Sequence, residues 1–176
     1  MSHRRPHAGP LALVAAAAVL LAAATPAVAA PAGDRSVIAA APWATVNVCD
    51  TAAHPATIGI RGSMPGSGDK TEVMFMRFQV HVFDQVDAQW HNLAGADSGF
   101  VEVGSARYKT RQSGNTFTIT PPRPGAAPYL LRGAVTFEWR QDGQVVRRAR
   151  KSTSGAHPDA AGSDPAGFSA ATCSIT

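Results

Sequence analysis

Tyr129-Leu-Leu-Arg-Gly-Ala-Val-Thr-Phe-Glu-Trp-Arg-Gln-Asp-Gly-Gln-Val-Val-Arg-Arg-Ala-Arg-Lys151 carries the clearest structural signal in the chain. In its first half every second residue is apolar or small, so Tyr129, Leu131, Gly133, Val135, Phe137 and Trp139 share one face, and Arg132, Thr136, Glu138 and Arg140 share the other. Alternation of this length predicts a strand that is buried on one side and wet on the other. Asp142-Gly143 then supplies the positive-φ residues of a hairpin turn, and Gln144 to Lys151 is the return strand. The stretch specifies a sheet, not a chemistry.

The same hairpin is strongly basic. Arg132, Arg140, Arg147, Arg148, Arg150 and Lys151 gather within it, opposed only by Glu138 and Asp142. Two readings follow: an edge strand whose charges discourage sheet-to-sheet association, which is favoured, or a stripe that neutralises the phosphates or carboxylates of a polyanion. A two-residue loop at Asp142-Gly143 would set Arg148 opposite Phe137 on the core side. That conflict predicts an edge position or a bulged register for the return strand.

Outward from the hairpin, Glu72 to Asp84 alternates in the same way. Met74, Met76, Phe78, Val80 and Val82 are expected on its core side, the two methionines as soft core filler, and His81 on the polar side, solvated. Thr45 to Cys49 and Ala56 to Arg61 are expected as the first two strands, with Gly62 to Lys70 read as a loop from Pro65, Gly66 and Gly68. Gln89 to Leu93, Phe100 to Val103, Ala106 to Thr110 and Thr116 to Thr120 are shorter strand candidates. Pro121-Pro122-Arg123-Pro124 cannot donate to a ladder and is expected to cross between sheets. Ser152 to Gly167 reads as an exposed, mobile loop, and Phe168 to Ile175 as a closing strand. Many short strands with no segment of 3.6 periodicity after the N-terminus imply an all-β sandwich or barrel.

At the N-terminus, Arg4 and Arg5 precede an apolar run from Leu11 to Ala24, then Pro26 and the small-x-small site Ala27-Val28-Ala29. This is the pattern of a secretory signal peptide, residues 1–29, and the run is shorter than the roughly 18–20 apolar residues of a membrane span. Residues 30–42 read as a flexible lead-in and residues 43–176 as one domain, with no membrane span after cleavage. Loss of Arg4 and Arg5 takes Lys plus Arg from 16 to 14 against 12 acids, a net charge of +2. So small a charge predicts no specific nucleic-acid partner. Cys49 and Cys173 are the only cysteines. In an oxidising compartment they are expected to pair, since neither a Cys-x-x-Cys redox spacing nor further closely spaced zinc ligands accompany them.

Three stretches, Val46-Asn47-Val48-Cys49, Gly133 to Arg140 and Ala171-Thr172-Cys173-Ser174-Ile175, together resemble secreted actinobacterial proteins with an immunoglobulin-like β-sandwich domain, over about Trp43 to Thr176. The resemblance implies an immunoglobulin-like antiparallel sandwich with one disulfide. Ala171 stands where antibody-type domains place a tyrosine two residues before the second cysteine.

Constellations for chemistry are sparse. Thr51-Ala52-Ala53-His54 and Asp97-Ser98-Gly99 imitate the histidine and serine motifs of a trypsin-like protease, but the spacing is too short for two barrels and Pro55 follows His54; turn chemistry explains both. His81 and His91 on neighbouring strands, and His157, Asp159 and Asp164 in one loop, lack a recognised metal-ligand spacing. The Gly62 to Gly68 glycines lack the Lys-Ser/Thr and helix of a phosphate loop. No catalytic residue, metal or cofactor is expected. The expected class is a secreted or extracellular, non-enzymatic binding or cell-envelope-associated module. An anionic wall polymer or another extracellular protein is its candidate partner, with a secreted hydrolase of unfamiliar design as the alternative and a protease inhibitor a weaker third.

Overall fold

Eight strands make up the regular structure: β1 (Trp43–Cys49), β2 (Thr57–Pro65), β3 (Glu72–Asp84), β4 (Gln89–Ser105), β5 (Thr110–Thr118), β6 (Tyr129–Gln141), β7 (Gln144–Ser152) and β8 (Cys173–Ile175). The computed structural model describes residues 41–176, and no helix occurs among them. The expected signal peptide and the lead-in up to residue 40 lie outside the described residues.

The strands pair antiparallel in two sheets, β1-β2-β5 and β4-β3-β6-β7, with β8 added beside the start of β6. This division of strands one, two and five from three, four, six and seven is that of an immunoglobulin-like sandwich with an extra strand on the larger sheet. The chain is an all-β immunoglobulin-like sandwich. The alternating faces explain why. Ile58, Ile60 and Met64 of β2 meet Met74, Met76, Phe78 and Val80 of β3 and Val135, Phe137 and Trp139 of β6, none more than 1% exposed. Each such side chain contributes about 1.5–3 kcal/mol on leaving water. The indole N–H of Trp139 donates to the Pro65 carbonyl at 3.0 Å, so burying the ring strands no polar atom.

Cys49 and Cys173 form the expected disulfide, with Cα atoms 5.4 Å apart. Because β1 belongs to the small sheet and β8 to the large one, the bond staples sheet to sheet as well as the two ends of the domain.

Several expected boundaries move. β2 runs on through Gly62 to Pro65 where a loop was expected, because Gly62 is a packing position: an added Cβ would lie 3.2–3.3 Å from Met76, Phe137 and Val135. The two pieces expected at Gln89 and Phe100 are one strand, β4, whose register on β3 shifts in three places, with Gly95 and Gly99 at positive φ. Such bulges erase the period-two signal. Ala106 to Lys109 is the turn into β5, not a strand, and the closing strand is only Cys173–Ile175. The proline segment does cross from β5 of one sheet to β6 of the other.

Ser152 to Gly167 is largely exposed, as expected, but is tied along the free edge of β1. Asn47 donates its side-chain N–H to the carbonyls of Ala161 and Gly162 at 3.2 and 2.9 Å. Ser154 N donates to Ala44 O at 2.8 Å, Asp164 N to Asn47 O at 2.9 Å, and Ala170 exchanges two bonds with Val46. Trp43 stacks on His157 with ring centroids 4.3 Å apart. An edge that would otherwise offer free N–H and C=O groups is thereby covered.

Candidate functional site

The hairpin places its charges by register. Asp142 and Gly143 have φ of 49° and 78°, the two-residue turn expected from the sequence. Gln141 then pairs Gln144 and Arg140 pairs Val145, but Trp139 pairs Arg147, so Val146 is an extra, bulged residue. The bulge sets Ala149, not Arg148, opposite Phe137 and turns Arg148 to the outer face beside Glu138. β7 is also an edge strand. Both solutions to the Arg148 conflict are used together.

The six basic residues expected to form one stripe consequently divide. Arg132, Arg140, Arg148 and Arg150 lie on the outer face of the larger sheet, while Arg147 and Lys151 pair with the core-facing Trp139 and Val135 and project on the opposite side. Adjacent residues of a strand alternate in direction, so Arg147-Arg148 and Arg150-Lys151 could not all share a face. Arg147 lies over the Trp139 ring, 3.7 Å from its centroid. There it lines a cleft of about 830 Å³ with Trp43, Tyr108, Arg107 and Lys109, in which Asp159 is the only acid.

The outer face is built in rows across β4, β3, β6 and β7. One row holds Phe100, Arg77, Thr136 and Arg150; the next Glu102, Phe75, Glu138 and Arg148; a third Asn92, His81 and Arg132. Guanidinium groups lie over rings throughout: Arg140 over Phe75 and Phe100 at 4.2 and 4.8 Å, and Arg132 over Trp90 at 4.3 Å. Cation–π attraction of this kind contributes about 0.5–1 kcal/mol at exposed sites. Sequence reading found the arginines but not their aromatic partners, because the bulges of β4 hide which of its side chains face outward.

Carboxylates occupy three of the five arginines. Glu138, fully buried, accepts two hydrogen bonds from Arg140 at 2.8 and 2.6 Å, and from Arg148 one at 2.8 Å and a shorter one. Burial pushes its pKa up, but the bonds from Arg140 and Arg148 outweigh this and the net shift is down. Asp97 accepts from the Arg77 guanidinium at 2.8 Å, and that contact holds its carboxyl at about 2.

Arg132 and Arg150 are left without a carboxylate partner among the described residues. They flank His81, to whose Nε2 Arg150 donates at 3.2 Å. His81 is 8% exposed, not solvated as expected: the larger sheet's own arginines cover it. Burial, then Arg150, then Arg132 press its pKa below the usual value, so the ring is neutral near pH 7, although Asn92 works weakly the other way. Burial and the nearby Arg150 charge likewise lower the pKa of Arg132, whose Nε is buried without a hydrogen-bond partner.

The other expected constellations fall apart or stay small. Ser98 belongs to β4, where its hydroxyl accepts from Phe78 N and donates to Gly99 O, while His54 is in the β1–β2 turn of the other sheet. His81 and His91 face different neighbours. His91 joins Asp87 at 2.7 Å, with Asp84 close by, at the exposed β3–β4 tip. His157 is engaged by Trp43 and Asp159 lies at the larger cleft.

Fold and face together define a class: an immunoglobulin-like sandwich with a single disulfide and a cationic, aromatic-backed sheet face. The chain matches no known protein-family model, and no curated protein is similar to it in sequence.

Proposed function

We propose that this protein is a secreted, non-enzymatic module that binds an anionic polymer of the cell envelope through the outer face of its larger sheet. The observation that carries the reading is the Arg132–Arg150 pair: two guanidiniums beside a neutral His81, with no carboxylate partner among the described residues. Like charges held together without a counter-charge are unfavourable, and an incoming phosphate or carboxylate relieves that repulsion. The rigid sheet and the rings beneath Arg132 and Arg140 hold the guanidinium planes ready, which reduces the ordering loss on binding. Secretion is supported by the signal-like residues 1–29 and by the disulfide, which suits an oxidising compartment. A secreted hydrolase would want convergent acid and base groups in a concavity. The larger cleft gathers Arg107, Lys109 and Arg147 against Asp159 alone, which suits anion binding better than proton transfer.

Retention on an immobilised polyphosphate column tests the reading. Arg132→Gln/Arg150→Gln is expected to lose retention, whereas Arg147→Gln/Lys151→Gln, equal in charge removed but on the opposite side, is expected to keep most of it. Equal loss from both pairs would reduce the effect to net charge and overturn the assignment to this face. Retention of the outer-face variant like the parent would do the same.

A further inference from the structure

Arg61 sits on β2, the central strand of the small sheet, in register between Thr45 of β1 and Gly114 of β5. Two glycines make room for it. A Cβ on Gly114 would stand 3.1 Å from its Nε and 3.2 Å from Cζ, and one on Gly162 would stand 2.8 Å from a terminal nitrogen. Gly162 is fixed over the small sheet by the Asn47 amide on its carbonyl. The guanidinium is therefore clamped between a strand and the loop above it, in a slot shaped for it.

No carboxylate among the described residues contacts it, and its Nε is buried without a hydrogen-bond partner. Arg61 is half-buried, and that burial lowers its pKa, the direction expected of a cation partly taken from water. A charge so placed is costly unless a counter-charge joins it. Beside it opens a pocket of about 230 Å³, lined also by Asn47, His54, Asn115 and Thr116. Thr116 lies on the same outer face as Arg61, opposite Gly59. The nearby Asp164 carboxylate is engaged by the Thr51 hydroxyl and stands 3.9 Å from His54 Nε2.

We propose that this pocket binds a single phosphate-type oxyanion, either inorganic phosphate or the phosphate of a monoester, with Arg61 as its fixed cation and His54 and Thr116 as further polar contacts. The guanidinium fork matches two phosphate oxygens, and the other groups serve a third. The volume falls below the roughly 300–1,000 Å³ of pockets for drug-sized ligands, so a small anion or one head group is the fitting occupant. The site is on the other sheet from the Arg132–Arg150 face and does not depend on that reading.

Nitrogen-15 NMR of the Arg61 Nε–H, with phosphate added at constant ionic strength against a chloride reference, tests it directly. The expected result is a saturable shift by tens of millimolar phosphate, and a melting temperature that climbs with the logarithm of phosphate concentration. Stronger binding of glycerol phosphate would identify the monoester head group as the natural occupant, and stronger binding of inorganic phosphate the free ion. Arg61→Met is expected to melt no lower than the parent without phosphate and to lose the phosphate response, while Arg132→Gln/Arg150→Gln keeps it. No saturable shift in the parent, or an undiminished phosphate response in both Arg61→Met and Arg61→Gln, would overturn the proposal.

Discussion

Glu138 shows at the scale of one residue how far charge patterning can mislead. In the sequence it is a lone acid opposing a basic hairpin; in the structure its side chain is 1% exposed and joins two strands by holding Arg140 and Arg148. Its cover is thin, since the Arg148 side chain is itself 62% exposed. The pair is thus worth less than a deeply buried one, and Glu138→Gln is expected to lower stability by about 2 kcal/mol, the scale of hydrogen bonds to charged groups. The sign with pH follows from the lowered pKa. The folded state binds this proton less readily than the unfolded chain, so the contribution is present above the unfolded carboxylate range near 4.3 and is lost as pH falls through the lower folded value. Urea unfolding of parent and variant at neutral pH and at about pH 3 checks both magnitude and direction; a gap that widens in acid would contradict the assignment. That Arg148 needed a special position was legible from its place opposite Phe137 in an unbulged hairpin. That it would find a buried glutamate was not, because cross-strand partners depend on a bulge whose position carries no sequence mark.

At the scale of elements, β3 and β6 were readable to within a residue because both are long, regular and buried on one face only. β4 was not, since three register shifts break its alternation, and the end of β2 was mistaken for a loop because Gly62 and Pro65 look like punctuation when they are a packing site and a carbonyl acceptor for Trp139. The segment after β7 misled for a different reason: its order comes from Asn47, Val46 and Trp43, more than a hundred residues earlier, and no local pattern announces such partners. The bulge at Val146 is the element-level feature with the sharpest consequence. Inserting one residue after Val146, with the bulge kept at a single residue, would shift the strand beyond it by one position, place Arg148 opposite Phe137 and leave Glu138 with Arg140 alone. A loss of about 3 kcal/mol or more is expected, near the range for breaking a buried ion pair, measurable as a lower urea midpoint with an unchanged slope. An insertion variant as stable as the parent would mean that the hairpin slips freely and that register does not set the outer face.

For the molecule as a whole, the pairing of Cys49 with Cys173 was legible from two cysteines and an export-like N-terminus, but its action as a staple between sheets required the topology. Closing a loop with a sequence separation of 124 restricts the unfolded chain strongly. Cys49→Ser/Cys173→Ser is expected to lower stability by about 2–5 kcal/mol, seen in denaturant unfolding, and an unchanged midpoint would show the sheets hold without it. The binding reading is a whole-molecule claim of another kind, because a net charge of only +4 over the full sequence conceals a face on which two of five arginines lack carboxylates among the described residues. Its most direct test is the salt dependence of binding to soluble polyphosphate, measured calorimetrically for the parent and Arg132→Gln/Arg150→Gln. If those two guanidiniums neutralise one phosphate each, the slope of log K against log salt should become shallower in the variant by about 1.4, at roughly 0.7 per contact on a flexible strand. A variant whose affinity and salt slope both equal the parent's would contradict the account.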